Sequence, residues 1–323
     1  MSTLSANWFL RAGWVFPVSG PPIRDGVVGL ERAPSREPAG AAPTSIAVVA
    51  RAADVAFPDG AEVVSYPNAV IVPAFVNAHA HAELAALAGK TSRDLPFVEW
   101  LREVIACRAE SAEDEAAAVE AIRSRLRELV AGGCTTLGDF VSLMTPREPD
   151  GAAVVERAAH EAGLRAVFYS ELIGFAPDVS ETALERLREE LDSGVALNGS
   201  LRGAAPHAPY SASPHVYREA LAEARSHGVP FSTHASEFQE ERDFLESGGG
   251  PCEELLKWRG NWDPAWRPAS TTPIEYLQSL GALEGVCSLA HCNLLSEREL
   301  EILAESETVP VHCPGTHAYF GRD

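Results

Sequence analysis

Six of the ten histidines in this chain follow short apolar runs that have the composition of buried strands. In parallel α/β barrels the carboxyl ends of neighbouring strands meet at one face, where the active site is assembled. Neutral imidazole binds zinc and similar ions, and it also transfers protons near neutral pH. The spacing therefore indicates one shared site for metal or acid–base chemistry. These histidines are His79, His81, His207, His234, His291 and His312.

His79 and His81 lie at the end of the apolar run AVIVPAFVNAHAH. Residues two apart on a strand point to the same side, so we expect both imidazoles to share one metal ion. A bare His-x-His pair is a weak motif, and a packed strand end is the alternative. The position of the His79–His81 pair at the end of an apolar strand favours the metal site.

From Ala69 onward, apolar strands alternate with amphipathic helices at a repeat of roughly 30–40 residues, the pattern of βα units. Before Ala69, short β-prone runs alternate with Gly/Pro-rich turns, which predicts a small sheet. We therefore expect two domains, 1–68 and 69–323, the second an α/β barrel with seven of the eight strands that closure needs. The predicted strands are AVIVPAFVNAH, CTTLGDF, RAVFYSE, LRGAAPHA, VPFSTHA, VCSLAHC and TVPVHC.

The net charge of −20 argues against nucleic acid and anionic membrane surfaces as partners, because both are bound through clustered Lys and Arg. The N-terminus lacks the apolar core of a signal peptide, and no apolar run is long enough to cross a bilayer. The six cysteines show no paired spacing, which favours reduced thiols. We expect a cytoplasmic protein with a small-molecule partner, and a homodimer stays an open alternative.

The segment VIVPAFVNAHAHAEL resembles the first barrel strand of the amidohydrolase superfamily, which typically reads as a proline, an apolar residue and then N-x-H-x-H. Later segments are similar, in order, to those of the branch that contains adenosine-type, aminofutalosine and guanine deaminases and the triazine hydrolases. The resemblance covers almost the whole chain. It implies a metal-dependent hydrolase (TIM) barrel with the N-terminal part of a β-sandwich. The later segments are APHAPYSASP, THASEFQEER, LAHCNLLSERELEILAES and VPVHCPGTHAYFGR.

The resemblance assigns His79, His81 and His234 to the metal. It assigns Glu237 to proton transfer and His291 to orienting the attacking hydroxide. The chemistry is consistent, because a divalent metal lowers the pKa of bound water toward about 7, and a partly desolvated carboxylate takes and returns a proton. The alternative is that Glu237 opens a solvated helix and His234 is a packed strand end.

The same resemblance places His207 against the substrate and makes the segment that contains Phe97 and Trp100 the roof of the pocket. Aromatic faces there would stack on a flat heterocycle, with core packing as the alternative. His317 stands where the family commonly has Asn, so a substrate contact is weighed against a loop role.

We expect one divalent metal, zinc in the first place and iron as the alternative. Lys90 and Lys257 are the only lysines, and neither lies at the end of strand four, where a carbamate bridge between two metals would form. The expected reaction is hydrolytic deamination of an aminated purine, nucleoside or similar heterocycle. The alternatives are displacement of chloride or alkylamine from a triazine-like ring, and an inactive chain that keeps the fold.

In this branch an aspartate at the end of the eighth strand completes the metal site and acts as a general base. The sequence ends at Asp323, within the expected loop after strand seven, and we do not assign that residue as a ligand. We therefore expect a C-terminally truncated chain, with little or no deaminase activity in the 323-residue form.

Overall fold

Two sheets organise the chain, one in each of two compact units that divide between Ala74 and Phe75. The sequence places this division a few residues earlier, between residues 68 and 69. The computed structural model describes residues 6–32, 44–111, 115–143, 151–194, 199–285 and 287–322.

The first unit contains a four-stranded sheet in the order β3-β2-β1-β4. Strand β1 pairs with β2 in antiparallel and with β4 in parallel orientation, and β2 pairs with β3 in antiparallel orientation. Phe9 and Val27 are fully buried and form its small core with Ala6. The strands are β1 Trp8–Val15, β2 Ile23–Arg32, β3 Thr44–Arg51 and β4 Glu62–Ile71.

The second unit contains seven parallel strands in sequence order, each hydrogen-bonded to the next. This order is that of the TIM barrel, and it confirms the fold class expected from the sequence. The carboxyl ends of all seven strands therefore lie at one end of the sheet. The strands are β5 Phe75–Ala80, β6 Cys134–Ser142, β7 Arg165–Leu172, β8 Leu201–Pro206, β9 Phe231–Ala235, β10 Cys287–His291 and β11 Val309–Val311.

Helices connect these strands, and several begin or end at recognisable capping residues. Capping boxes at Thr272 and Ser296 start α8 and α9, while Gly228 ends α5 in the left-handed conformation. None of the helices within the described ranges is long and apolar enough to cross a bilayer. The helices are α1 Phe97–Ser111, α2 Glu115–Ala131, α3 Gly151–Ala162, α4 Pro177–Ser193, α5 Pro214–His227, α6 Gln239–Ser247, α7 Gly250–Trp258, α8 Pro273–Ser279, α9 Glu297–Glu305 and α10 Pro314–Tyr319, and the short 3-10 helices are Ala52–Asp54 and Ala82–Leu87.

The run AVIVPAFVNAH, predicted as a single barrel strand, is divided between the two sheets. Val70 and Ile71 pair with β1, and the barrel strand begins only at Phe75. Pro73 lies between them, and proline has no N–H with which to continue a ladder. The single-strand prediction is therefore wrong, and the barrel strand that carries the first histidine is short.

Strand β6 approaches β5 so closely that only glycine fits at Gly138. A Cβ added there would lie 2.5 Å from the carbonyl oxygen of Ala78, the residue before His79. We expect Gly138→Ala to lower the free energy of unfolding by about 1–3 kcal/mol, because the β5 backbone must move. Urea denaturation measures this, with Gly315→Ala as the control because its Cβ would meet no atom within 4 Å. Equal stability of both variants would contradict the prediction.

Candidate functional site

Five histidines gather at the carboxyl ends of the barrel strands. His79, His234 and His291 lie on β5, β9 and β10, and His81 and His207 directly follow β5 and β8. His234 is at the centre of the group. Its ring centroid lies 4.8 Å from those of His79 and His207, 5.3 Å from that of His81 and 5.4 Å from that of His291.

The first two histidines do not follow the simple alternation of a strand. Asn77 pairs with Leu137 and Ala80 with Asp139, so three steps on β5 oppose two steps on β6, an irregularity of the bulge type. His81 follows the strand with φ −128° and ψ 76°. Consequently the rings of His79 and His81 are nearly perpendicular, at 88°, although their centroids are only 5.0 Å apart.

The donor atoms of the cluster form two groups in the described part of the chain. One comprises His79, His234 and His291, and the other comprises His81, Glu171 and His234; within each group the ligand atoms lie within 4.8 Å of one another. The three histidines predicted to bind the metal are therefore divided between two groups that share His234. The irregularity in β5 accounts for this division, because it turns His79 and His81 away from a common direction.

His234 presents one ring nitrogen to the centre of the cluster. Its Nδ1 is 2.7 Å from the carbonyl oxygen of His207, to which it donates a hydrogen bond, so the neutral ring keeps its lone pair on Nε2. That Nε2 lies 3.2 Å from Nε2 of His81. Two nitrogens on one tetrahedral zinc, each at about 2.0–2.1 Å, lie roughly 3.3–3.4 Å apart. The pair therefore fits a shared divalent ion.

The imidazoles of the cluster are neutral at ordinary pH. Burial lowers the pKa of His234 and of His207 to about 4, and it lowers the pKa values of His79, His81 and His291 well below the usual range. The charges of the neighbouring imidazoles lower the pKa of His79 further. Neutral nitrogens with available lone pairs suit a cation. Nδ1 of His79 is itself buried without a partner among the described residues.

Glu237 follows β9 and faces the cluster. Its Oε2 lies 3.6 Å from Nε2 of His291, and burial raises the pKa of its carboxyl group to about 8. Its backbone is held by Glu241, whose carboxylate accepts hydrogen bonds from the N–H groups of Ser236 and Glu237 at 3.1 and 2.8 Å. The amide of Asn293 donates to the Glu237 carbonyl at 3.1 Å. Glu237 is thus a buried carboxyl group in a fixed position.

The turns after β9 and β10 have a strained backbone. Ser236, His291 and Cys292 have positive φ angles of 53°, 77° and 52°, which cost non-glycine residues free energy. Two hydrogen bonds hold the turns together, from Cys292 N–H to Ala235 O and from Asn293 N–H to Ser236 O, both at 2.9 Å. These turns place the side chains of His291 and Glu237 next to each other, with Nε2 and Oε2 3.6 Å apart.

A cavity of about 390 Å³ borders this arrangement on the Glu237 side. Two of the predicted substrate contacts, Phe97 and His317, line it together with Phe238, Phe320 and Glu237. Phe97 and Phe238 stack with ring centroids 4.1 Å apart, so the two rings form one aromatic part of the cavity wall.

Two other predicted substrate contacts do not line this cavity. Trp100 packs behind Phe97, with ring centroids 5.6 Å apart, and its indole N–H donates to the hydroxyl of Tyr319 at 3.2 Å. His207 lies on the histidine side, where its Nδ1 is 2.5 Å from Oγ of Ser211. The sequence does not show that Trp100 lies behind Phe97, because the positions of both side chains depend on how α1 packs against the barrel.

Two buried carboxylates near the histidines were not predicted from the sequence, Asp139 within β6 and Glu171 near the end of β7. Asp139 on β6 accepts the N–H of Ala82 at 2.8 Å and so holds the turn after His81. Oε1 of Glu171 on β7 lies 4.0 Å from Nδ1 of His81. Glu171 ends the predicted strand RAVFYSE, so the criterion that found the histidines would have found it, whereas Asp139 precedes the last residue of the predicted strand CTTLGDF. Asp323, which we did not assign as a ligand, lies outside the described residues.

Comparison with known proteins gives a family match and curated relatives that are deaminases. A family model described as the amidohydrolase family matches residues 70–323. The chain is 30% identical over 258 residues to 5-methylthioadenosine/S-adenosylhomocysteine deaminase of Natronomonas pharaonis, covering 77% of this chain and 52% of the relative. It is 27% identical over 260 residues to 5'-deoxyadenosine deaminase of Methanococcus maripaludis, covering 79% and 54%. The chain thus spans about half the length of the curated relatives it matches.

The fold has solved counterparts. The structure of an adenosine deaminase from Xanthomonas campestris with bound zinc aligns with a TM-score of 0.72 at 21% identity, covering 98% of this chain and 64% of that one. At this identity the likeness establishes the fold alone.

The stability of the metal-free protein should depend on the ionisation of Glu237. The pKa of this carboxyl group rises from 4.5 to about 8, so between these values the folded chain holds a proton that the unfolded chain has released. This contribution is fully present below pH 4.5 and is lost as the pH rises through 8. From pH 5 to 8, Glu237→Gln should therefore gain stability relative to wild type, on the order of 1–3 kcal/mol.

Urea denaturation at several pH values in the presence of a chelator measures this difference. Glu246→Gln on the exposed side of α6 is the control, and its curve should run parallel to that of wild type. A constant difference between Glu237→Gln and wild type across this range would contradict the raised pKa.

Proposed function

Because the chain belongs to the amidohydrolase family, we propose that it catalyses the hydrolytic deamination of an aminated purine-like ring, with 5'-modified adenosines as the first substrate class. The names of both relatives denote deaminases of adenosines that are altered at the 5' position. Displacement of chloride or alkylamine from a triazine-like ring uses the same chemistry, but these relatives favour an amino leaving group.

The observation that carries the proposal is that Glu237 borders both the histidine cluster and the cavity. This residue contacts His291 in the histidine cluster at 3.6 Å, and it also lines the adjoining cavity. A ring held in that cavity would meet a buried carboxyl group directly beside the metal-binding imidazoles. Such a group is suited to move protons between a nucleophile and a bound substrate.

We propose that one divalent metal, zinc in the first place, is held by His79, His81 and His234. The 3.2 Å separation between the Nε2 atoms of His81 and His234 supports this set. When bound, such a metal supplies hydroxide at neutral pH by lowering the pKa of water. His207 belongs to the substrate side in this proposal, although its ring lies outside the cavity wall.

Glu237 and His291 then have separate tasks. Overall, the oxygen of water bonds to the ring carbon, the bond from that carbon to the amino nitrogen breaks, and ammonia leaves. One proton of the water goes to a ring nitrogen through Glu237, and the other goes to the departing amino group. Glu237 must be ionised to take the first proton, and a cation held by the neighbouring histidines would lower its pKa from the value in the metal-free chain. His291 stays neutral because burial lowers its pKa, so it orients the nucleophile as a hydrogen-bonding partner without adding charge.

We expect about one zinc ion per chain in protein expressed from its complete reading frame with zinc supplied. His234→Ala should lose most of this metal, because His234 is shared by both donor groups. His215→Ala should retain it, since His215 pairs with Glu181 on the protein surface. Elemental analysis after gel filtration measures the content. Two tightly bound metals per chain, or none, would rule out the mononuclear site.

Glu237→Gln should lower kcat for deamination by a factor on the order of 10² to 10⁴, with the zinc content unchanged, because the residue moves protons without binding the metal. Ammonia release from 5'-deoxyadenosine, 5'-methylthioadenosine and S-adenosylhomocysteine is the assay, and Glu246→Gln is the control. Near-wild-type turnover in Glu237→Gln would remove this residue from the mechanism. Chloride release from a chlorotriazine without ammonia release from any aminopurine would favour the alternative leaving group.

A further inference from the structure

Glu171 is a buried carboxylate that the proposed reaction does not use. It lies near the end of β7 with 4% of its surface exposed, and its Oε1 has no hydrogen-bond partner among the described residues. Oε1 is 4.0 Å from Nδ1 of His81 and also 4.0 Å from Nε2 of His207. The Oε1 atom is therefore directed at the histidine cluster.

The two nitrogens of His81 face different neighbours. Nε2 is 3.2 Å from Nε2 of His234, on the side where a metal fits, whereas Nδ1 faces Glu171. A metal-binding imidazole generally donates its other N–H to a carboxylate, a carbonyl or water, which fixes both the ring and its tautomer. His234 already does so through the carbonyl of His207 at 2.7 Å. For His81 the facing carboxylate is Glu171, whose Oε1 at 4.0 Å from Nδ1 lies beyond hydrogen-bond distance, so a small movement of either side chain is needed for Glu171 to accept the N–H.

A carboxylate in this position is costly without a cation. Burying an ionised carboxylate away from water costs several kcal/mol unless charge and hydrogen bonds compensate it. Asp139 is another buried acid in electrostatic contact with Glu171, and it adds to the cost. The guanidinium of Arg108, which pairs with Glu83 at 2.7 Å, attracts the Glu171 carboxylate and offsets part of this cost. A divalent ion on the far side of His81 would offset the charge of Glu171 through the imidazole.

We propose that Glu171 is a positioning residue of the metal centre, which accepts the Nδ1–H of His81 and thereby keeps Nε2 of His81 directed at the metal beside His234. This inference rests on the proposed function, in that the histidine cluster must bind a divalent ion. It adds an outer carboxylate on the side of the cluster that lies away from Glu237.

The test compares Glu171→Gln with wild type in zinc affinity, measured by competition with a chromogenic chelator. We expect the dissociation constant for zinc to rise 10- to 100-fold, the usual effect of removing an outer partner, with one metal still bound at saturation. The absorption bands of the Co²⁺-substituted protein should keep their positions, because the directly bound atoms are unchanged. Glu299→Gln is the matched control, since Glu299 is a fully buried carboxylate that caps α9 and pairs with Arg242.

Thermal unfolding separates positioning from a purely structural role. In the metal-free state Glu171→Gln should melt at or above the temperature of wild type, because the substitution removes a buried charge that Arg108 offsets only in part. Zinc should raise its melting temperature by less than that of wild type. Glu299→Gln should show the reverse, a lower melting temperature with unchanged zinc affinity. Glu171→Asp, which keeps the charge but withdraws it by one methylene, should fall between wild type and Glu171→Gln in affinity.

Several outcomes would overturn the inference. Wild-type zinc affinity in Glu171→Gln, or a metal-free variant that melts well below wild type, removes the positioning role. Shifted Co²⁺ bands would make Glu171 a direct ligand instead. Absence of zinc binding in the wild-type protein would remove the proposed function together with this inference, whereas normal binding with an unaffected variant removes the inference alone.

Discussion

The carbonyl oxygen of His207 is the acceptor on which the arrangement of the site depends. It receives the backbone N–H of His234 at 2.9 Å and the ring Nδ1–H of the same residue at 2.7 Å. The hydroxyl of Thr233 also donates to it at 3.2 Å. One oxygen therefore fixes both the junction of β8 with β9 and the orientation of the central imidazole. Because Nδ1 is committed to this bond, Nε2 of His234 is the nitrogen left for the other histidines to surround.

The remaining side chains arrange themselves around this fixed ring on two sides. Glu237 and His291 lie toward the cavity, on turns held in left-handed conformations by backbone hydrogen bonds between β9 and β10. His81 and Glu171 lie on another side; His81 follows the irregular end of β5, and Glu171 is on β7, which lies on the other side of β6. Strain and buried charge both reduce folding stability, so their presence at one end of the barrel is the usual trade between stability and function.

The sequence predicted six of the barrel strands and five of the six strand-end histidines of the cluster, because polar residues that end apolar runs are a local signal. The positions of β6 to β11 and the gathering of His79, His207, His234 and His291 follow from that signal and from the parallel order of the sheet. His312 instead packs against His317, with ring centroids 4.7 Å apart. The relation of His79 to His81 does not follow, since the irregularity in β5 is defined only against its partner β6. The place of Trp100 behind Phe97 likewise depends on how a helix packs, which no local pattern specifies.

The division into two sides bears on how one cluster would serve both metal binding and reaction in the proposed function. A carboxylate beside a ligand imidazole strengthens that ligand, while a carboxyl group beside the substrate must exchange protons, and one residue cannot be tuned for both. In this chain the two carboxyl groups are kept apart by the histidines themselves, with Glu171 facing His81 and His207, and Glu237 facing His291. Each carboxyl group therefore contacts different imidazoles. The central His234 requires neither, because a backbone carbonyl, which does not titrate, holds its orientation at every pH at which the chain is folded.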